Sequence, residues 1–69
     1  MTQKQMVLDY MRQHDGITAG EAFARLGVGR LSARIHELRE EGYKVISQRV
    51  QSVNRHGKKV YFDRYKVVE

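Results

Sequence analysis

Residues 16–45 read GITAGEAFARLGVGRLSARIHELREEGYKV, and this stretch decides the fold. Thr18 and Glu21 have the three-residue spacing of a capping box, which is typical of a helix start. The glycines of the segment 27–29, GVG, then allow a sharp turn. An apolar stripe at helical spacing follows, and a glycine ends it: Leu31, Ile35, Leu38 and Gly42. The stretch therefore predicts two helices joined by a tight turn, the second from about Arg30 to Glu41.

A further helix is predicted before this stretch and a hairpin after it. Thr2 and Gln5 have capping-box spacing, and the apolar residues behind them recur at i, i+4, which predicts a helix from Thr2 to about His14. Residues 43–53 and 59–68 are rich in valine, isoleucine, tyrosine and phenylalanine and predict two strands. Between them, residues 54–58, NRHGK, predict a hairpin loop. Because the apolar alternation is irregular, we expect a bulge or a strong twist in the second strand.

The apolar residues of these elements are the expected core. The helix that begins at Thr18 should bury Ala22, Phe23 and Leu26. In the hairpin, a base-stacking platform is one interpretation of the aromatic residues. Strand aromatics of a small domain favour the core instead, and we expect core positions for Tyr61, Phe62 and Tyr65.

Length and composition argue against an enzyme. A chain of 69 residues predicts one domain, residues 1–69, with little volume for a substrate cavity. There is no cysteine, and the three histidines have no short metal-ligand spacing, so neither a metal nor another cofactor is expected. No nucleophile–base pair or phosphate-binding glycine loop is visible. The sequence also lacks an apolar run of membrane-spanning length and a signal-peptide pattern, so we expect a cytoplasmic protein with no membrane partner.

The positive charge is concentrated in the hairpin. Residues 1–41 carry six basic and six acidic side chains, whereas residues 42–69 carry seven basic and two acidic ones. The formal net charge of +5 therefore comes from the last part of the chain. Such an asymmetry favours a polyanionic partner such as nucleic acid.

This order of elements resembles winged helix-turn-helix domains. More narrowly, residues 26–43, LGVGRLSARIHELREEGY, resemble a family of small helix-turn-helix proteins common in phages and prophages. The resemblance implies an α+β fold in which three helices are followed by a two-stranded antiparallel β-hairpin wing. It also implies double-stranded DNA as the partner and the cytoplasm of a bacterial host as the location. The connection at 27–31 is two residues shorter than in the commonest bacterial winged-helix repressors, so no base contact is transferred from them.

The expected DNA contacts lie on the third helix and at the hairpin tip. Arg30 opens that helix and is placed to contact guanine, the commonest specific arginine contact. The wing at 54–59 should follow the backbone or enter the minor groove. The candidate DNA-binding residues are Thr18, Arg30, Ser32, Ala33, Arg34, His36, Arg39, Arg55, Lys58 and Lys59.

The resulting hypothesis is a sequence-specific transcriptional regulator with no evident small-molecule effector, a monomer in solution that can pair on DNA. One alternative is an architectural or excisionase-like recombination factor that uses the same contacts to bend DNA. Another is a protein-interaction module that inhibits a host protein. Three carboxylates favour the second alternative because they would repel phosphates: Glu37, Glu40 and Glu41. Arg34 is equally placed for a phosphate contact or for an ion pair with Glu37 or Glu41. Arg39 could pair with nearby acids or reach a phosphate, and its position slightly favours the phosphate.

Overall fold

The computed structural model describes residues 2–69. A short helix continues directly into one π-helical segment, and the three strands form one antiparallel sheet in which the third strand lies between the first and the second. The elements are α1 (Gln3–His14), β1 (Ile17–Thr18), α2 (Ala19–Glu21), the π-helical segment Ala22–Leu26, α3 (Leu31–Glu40), β2 (Lys44–Val53) and β3 (Lys59–Val68). The predicted α+β architecture is confirmed, and β1 is an addition that the sequence did not reveal.

Two capping boxes begin the first two helices, as their spacing predicts. The hydroxyl of Thr2 accepts a hydrogen bond from the Gln5 amide at 3.2 Å, and the Gln5 side chain accepts one from the Thr2 amide. At α2, the Thr18 hydroxyl accepts from the Glu21 amide at 3.2 Å, and a carboxylate oxygen of Glu21 accepts from the Thr18 amide at 3.1 Å. Each pair satisfies amides that a helix start would otherwise leave without partners.

The turn between the second and third helices is held by a left-handed glycine. Gly27 has φ of 69°, and its amide donates to the Phe23 carbonyl at 3.1 Å. The next amide, that of Val28, donates to the Ala22 carbonyl at 3.0 Å. This reversal turns the Val28 side chain inward, where it is only 1% exposed.

The expectation that Phe23 is buried was wrong, since its exposed fraction is 71%. Adjacent helical residues point about 100° apart, so a helix this short can turn only one edge inward. That edge holds Ala22, which is fully buried, and Leu26, which packs against the core. Val28 supplies the third apolar contact that the sequence assigned to Phe23.

The core lies between the helices and the end of the hairpin that is opposite its loop, where Val45, Tyr65 and Val67 pack. The predicted stripe of α3 is buried, and α3 is one residue shorter at each end than expected, with Arg30 and Glu41 as its caps. The buried residues are Val7, Leu8, Tyr10, Met11, Ile17, Ala22, Val28, Leu31, Ile35, Leu38 and Val45.

The hairpin has a continuous register and therefore no bulge, so of the two expected features only a strong twist stays a prediction. Its residues pair one to one, from Lys44 opposite Val68 to Val53 opposite Lys59. The apolar alternation is irregular for another reason: only the near end of the hairpin faces the core. Val45 is 6% exposed, whereas Val53 is 62% exposed. The extents of the chain, 39 × 22 × 20 Å, reflect this projecting hairpin.

The hairpin aromatics divide in the same way. Tyr65 packs against the core as expected, but the expectation was wrong for Tyr61 and Phe62, which are 55% and 38% exposed. Both residues lie in the part of the hairpin that extends beyond the helices. Because they are neighbours in β3, their side chains point to opposite faces of the sheet.

The exchange between Phe23 and Val28 gives a stability prediction. We expect Val28→Ala to lower the free energy of unfolding by about 2 kcal/mol, because it removes two buried methyl groups and leaves a cavity. The Phe23→Ala variant, which removes a larger but exposed side chain, should change that free energy by less than about 0.5 kcal/mol. Urea unfolding of the two variants measures both values. Equal losses would contradict the described packing of the turn.

Candidate nucleic-acid interface

The outward face of α3 lies opposite its buried stripe. Residues at i, i+3, i+4 and i+7 share a helix face, and on this side they are Ala33, His36, Glu37 and Glu40. Ser32 lies beside them. Ser32 and His36 are exposed and Ala33 is half-buried, so the structure brings these three predicted contact residues together on one accessible surface.

Arg30 stands at the N-terminal end of this surface. It is exposed and occupies the cap position of α3, where its side chain makes no capping hydrogen bond. Within residues 2–69 no acidic side chain forms an ion pair with it. Its guanidinium is therefore available to an external acceptor.

Each carboxylate on or just after α3 has a basic neighbour. Glu37 Oε1 lies 2.7 Å from Arg34 Nε, and Glu40 Oε1 lies 2.9 Å from His36 Nε2. Glu41 forms an ion pair with Lys4 of α1. The His36 contact is an ion pair only when the imidazole is protonated. Two of the acidic residues that argued against a phosphate-rich partner, Glu37 and Glu41, are thus compensated by neighbouring cations, and Glu40 is compensated only when His36 is protonated.

Two predicted phosphate ligands have partners inside the chain. Arg34, besides its contact with Glu37, donates from Nη1 to Gln3 Oε1 at 3.3 Å. Arg39 donates from Nε and Nη2 to the Val45 carbonyl, at 3.1 and 2.8 Å. This fork fastens the last turn of α3 to the start of β2.

Thr18 is also engaged, because its hydroxyl caps α2. Its partner Glu21 additionally accepts a hydrogen bond from the Tyr10 hydroxyl at 3.1 Å. Burial alone would raise the pKa of Glu21, but the hydrogen bonds from the Thr18 amide and the Tyr10 hydroxyl outweigh it and hold the pKa below its ordinary value. The pair therefore joins α1 to the start of α2.

The hairpin tip is a tight loop with an internal hydrogen-bond network. Gly57, with φ of 76°, donates to the Asn54 carbonyl at 3.0 Å, and the Asn54 amide donates to the Lys58 carbonyl at 3.0 Å. The Asn54 side chain accepts from the amides of His56 and Lys58 at 2.9 and 3.1 Å. Glycine is needed at position 57 because other residues rarely adopt this backbone conformation.

Three predicted wing residues project from this loop into solvent. Arg55, Lys58 and Lys59 are exposed, and the part of the chain that the structure describes provides no ion-pair partner for them. Together with Arg30 they form two separate cationic positions, one at the start of α3 and one at the tip.

Sequence reasoning missed a further cation on the hairpin. The guanidinium of Arg49 lies 5.8 Å from the centroid of the Tyr61 ring, and its Nη1 lies 3.7 Å from Asp63 Oδ1. All three residues lie on one face because Arg49 pairs with Asp63 and Gln51 with Tyr61. Counting back from the NRHGK loop gives this register, so the loop was the signal that could have revealed it.

Comparison with known proteins identifies the family. A family model described as a winged helix-turn-helix domain matches residues 2–69. The chain belongs to this family. No match was found among curated proteins or among solved structures. In the winged-helix domain described here, the α2–α3 pair is the helix-turn-helix and the β2–β3 hairpin is the wing. The fold is a DNA-binding one, and domains of this kind are generally non-enzymatic.

Other site types find no support in residues 2–69. None of the helices there has the length and apolar character needed to cross a membrane. The same residues include no group of three or more histidine, aspartate or glutamate side chains arranged to hold a metal ion.

The Glu21 contacts give a pH prediction for the winged-helix domain. Because the folded-state pKa of Glu21 lies below the ordinary value of about 4.5, its carboxylate stabilises the fold above that value. This contribution is lost as the pH falls through the folded-state pKa. Urea unfolding between about pH 5 and pH 3 should therefore show a smaller loss of stability in Glu21→Gln than in the parent chain. An unchanged Glu21→Gln profile would contradict the assignment.

Proposed function

We propose that this winged-helix domain binds double-stranded DNA sequence-specifically and acts as a transcriptional regulator of phage or prophage type. The observation that carries the proposal is the pairing of charges. The carboxylates of α3 have basic neighbours, while Arg30 and the cations of the wing tip have no acidic partner in residues 2–69. A surface with spare cations at two separated positions suits a polyanion that both can reach.

The recognition helix would lie in the major groove. An α-helix with its side chains is about 10–12 Å wide, close to the groove width of about 12 Å. Arg30 would donate two hydrogen bonds to guanine, with Ser32 and His36 facing neighbouring base edges. Ala33 would contact a thymine methyl group or allow close approach.

The wing at 54–59 would anchor the domain to the backbone or in the minor groove. Arg55, Lys58 and Lys59 would neutralise phosphates, a contribution that depends on salt and little on sequence. Three further side chains are proposed to contact the DNA backbone and so to orient the domain on the duplex: Thr18, Arg34 and Arg39. A guanidinium has five N–H donors, and Arg39 uses two of them on Val45, so the others can reach a phosphate.

A protein-interaction module is the second candidate function, and the exposed Phe23 favours it. An aromatic ring with 71% of its surface in solvent is a common anchor at protein interfaces. The two functions separate in one comparison. Replacing Arg55 and Lys58 together by alanine should abolish a DNA-dependent function, whereas a protein-binding function would be lost with Phe23→Ala instead.

The direct test is fluorescence anisotropy with a random-sequence duplex of about 25 base pairs, titrated at about 50 and 200 mM salt. Micromolar binding that weakens steeply with salt is the expected result, and selection of a preferred site from a random library follows. Absence of binding at the lower salt would overturn the proposal and favour a protein partner.

Two substitutions should separate base reading from anchoring. Arg30→Ala is expected to reduce the preference for the selected site over random DNA, at a cost of about 1–3 kcal/mol. Lys58→Ala should weaken binding to all sequences alike and make the slope of log affinity against log salt shallower by about one. Anisotropy with selected and random duplexes measures both effects. Equal effects of the two changes would refute the division of labour between helix and wing.

A further inference from the structure

The outer edge of β2 is unoccupied in the sheet. Because the strand order is β1-β3-β2, only one side of β2 is paired, along ten residues from Lys44 to Val53. In an antiparallel pair, alternate residues direct both backbone polar groups to the partner strand. The loop bond from the Asn54 amide to the Lys58 carbonyl sets this alternation. Even-numbered residues of β2 therefore bond to β3, and odd-numbered residues point their backbone groups outward.

An independent contact agrees with this assignment. The Val45 carbonyl accepts both hydrogen bonds from Arg39, so it points away from β3. Beyond Val45, the outward-pointing residues are Ser47, Arg49, Gln51 and Val53. The sheet leaves their amides and carbonyls ready for another strand.

This edge lacks the usual protection against pairing. Exposed edge strands are generally blocked by proline, bulges, several charges or short length. The chain contains no proline, the register of β2 is uninterrupted, and Arg49 is the one charged residue between Val45 and Val53. Such an edge is suited to pairing with an extended strand.

We propose that β2 pairs with β2 of a second copy of this chain, antiparallel about a two-fold axis at Val50. The inference rests on the proposed function, because it makes the DNA-bound form a dimer with two recognition helices. Closed two-fold symmetry is the commonest symmetry of soluble homo-oligomers.

The alternation of outward-pointing backbone groups and the position of Arg49 together select the register of the two β2 strands. Residues with odd numbers must face residues with odd numbers in the second copy. The Val45 carbonyl is already bound by Arg39, so the free edge runs from Ser47 to Val53, and the axes near its centre lie at Arg49, Val50 or Gln51. An axis at Arg49 places two guanidinium groups directly opposite each other, which is destabilising. An axis at Val50 instead places Arg49 opposite Gln51 and joins the two Val50 side chains at a non-hydrogen-bonded pair, where side chains are closest.

The face of the wing that carries Val50 and Phe62, opposite the face that carries Val45, supports the Val50 axis. Phe62 is the cross-strand partner of Val50 within one copy and is 38% exposed. Pairing at Val50 would create a continuous apolar row across four strands, Phe62–Val50 of one copy followed by Val50–Phe62 of the other. An axis at Gln51 would place Val50 opposite Ser52 and interrupt the row.

The length of the wing gives the spacing of the two points at which the recognition helices are fastened to it. Val45, to which Arg39 fastens the end of α3, lies five residues from Val50. At about 3.3 Å per residue, the two Val45 positions would be about 33 Å apart. This distance matches the separation of about 34–36 Å between half-sites one turn apart on B-DNA.

Charge confines this pairing to the DNA-bound state. Each copy carries a formal charge of +5, and a single strand edge buries less than the roughly 800 Å² per partner of a stable interface. Free copies therefore repel each other. On DNA the phosphates neutralise the wing tips, and adjacent binding raises the effective concentration of one copy near the other.

A cysteine cross-link tests the pairing and its register. Because the chain contains no cysteine, Val50→Cys introduces a single thiol per copy at the proposed axis. Mild oxidation on the duplex selected from a random library should convert most of this variant to a disulfide-linked dimer. The selected site should be an inverted repeat with half-site centres about 10 base pairs apart.

Two matched controls fix the interpretation. Ser52→Cys lies on the same strand and face, but two copies would hold these residues about 13 Å apart, too far for a disulfide. Val60→Cys lies on the same face of β3, farther from the axis. Both controls should stay monomeric.

Equal cross-linking of all three variants would overturn the pairing alone. The same conclusion would follow if Val50→Cys formed no cross-link on DNA that the chain binds. Cross-linking of Val50→Cys in a chain that binds no DNA would support the edge contact itself, but it would overturn both the proposed function and the confinement of the pairing to the DNA-bound state.

Discussion

Apolar contact between α1 and α3 is the interaction on which the rest of the molecule depends. Helix α1 supplies four of the eleven buried hydrophobic residues and α3 supplies three. A domain of this size buries only about 60% of the surface of its unfolded chain, so its margin of stability is thin. The contact holds α3 by its inner side alone. Its outer side, with Ser32 and His36, therefore has no part in the core and can vary with the partner.

Local signals in the sequence predicted the helices well because each is encoded within a few residues. The capping boxes at Thr2 and Thr18 and the stripe of α3 depend on neighbours three or four positions apart. Strand β1 has two residues, too few to show an alternation, and it exists only because β3 returns beside it. Phe23 and Val28 exchanged roles because a left-handed residue at Gly27 rotates the chain, which hydrophobicity alone does not reveal.

The charged residues show where sequence reasoning stops. The concentration of basic residues in the hairpin could be counted directly, and the loop residues Arg55 and Lys58 could be expected to project. The contact of Lys4 with Glu41 joins residues far apart in the chain, so only the packing of α1 on α3 brings them together. This contact and those of Glu37 and Glu40 place a basic side chain beside each of three carboxylates that would otherwise repel a phosphate-rich partner.

The fork from Arg39 to the Val45 carbonyl has a mechanical consequence. It spans the junction where α3 passes into β2, so the wing cannot swing away from the helix without breaking two hydrogen bonds to one oxygen. The distance and the angle between α3 and the wing are therefore fixed. Under the proposed function, this fixed distance would favour duplexes whose groove width already fits it, so the local stiffness and shape of the duplex would contribute to recognition together with the edges of its bases.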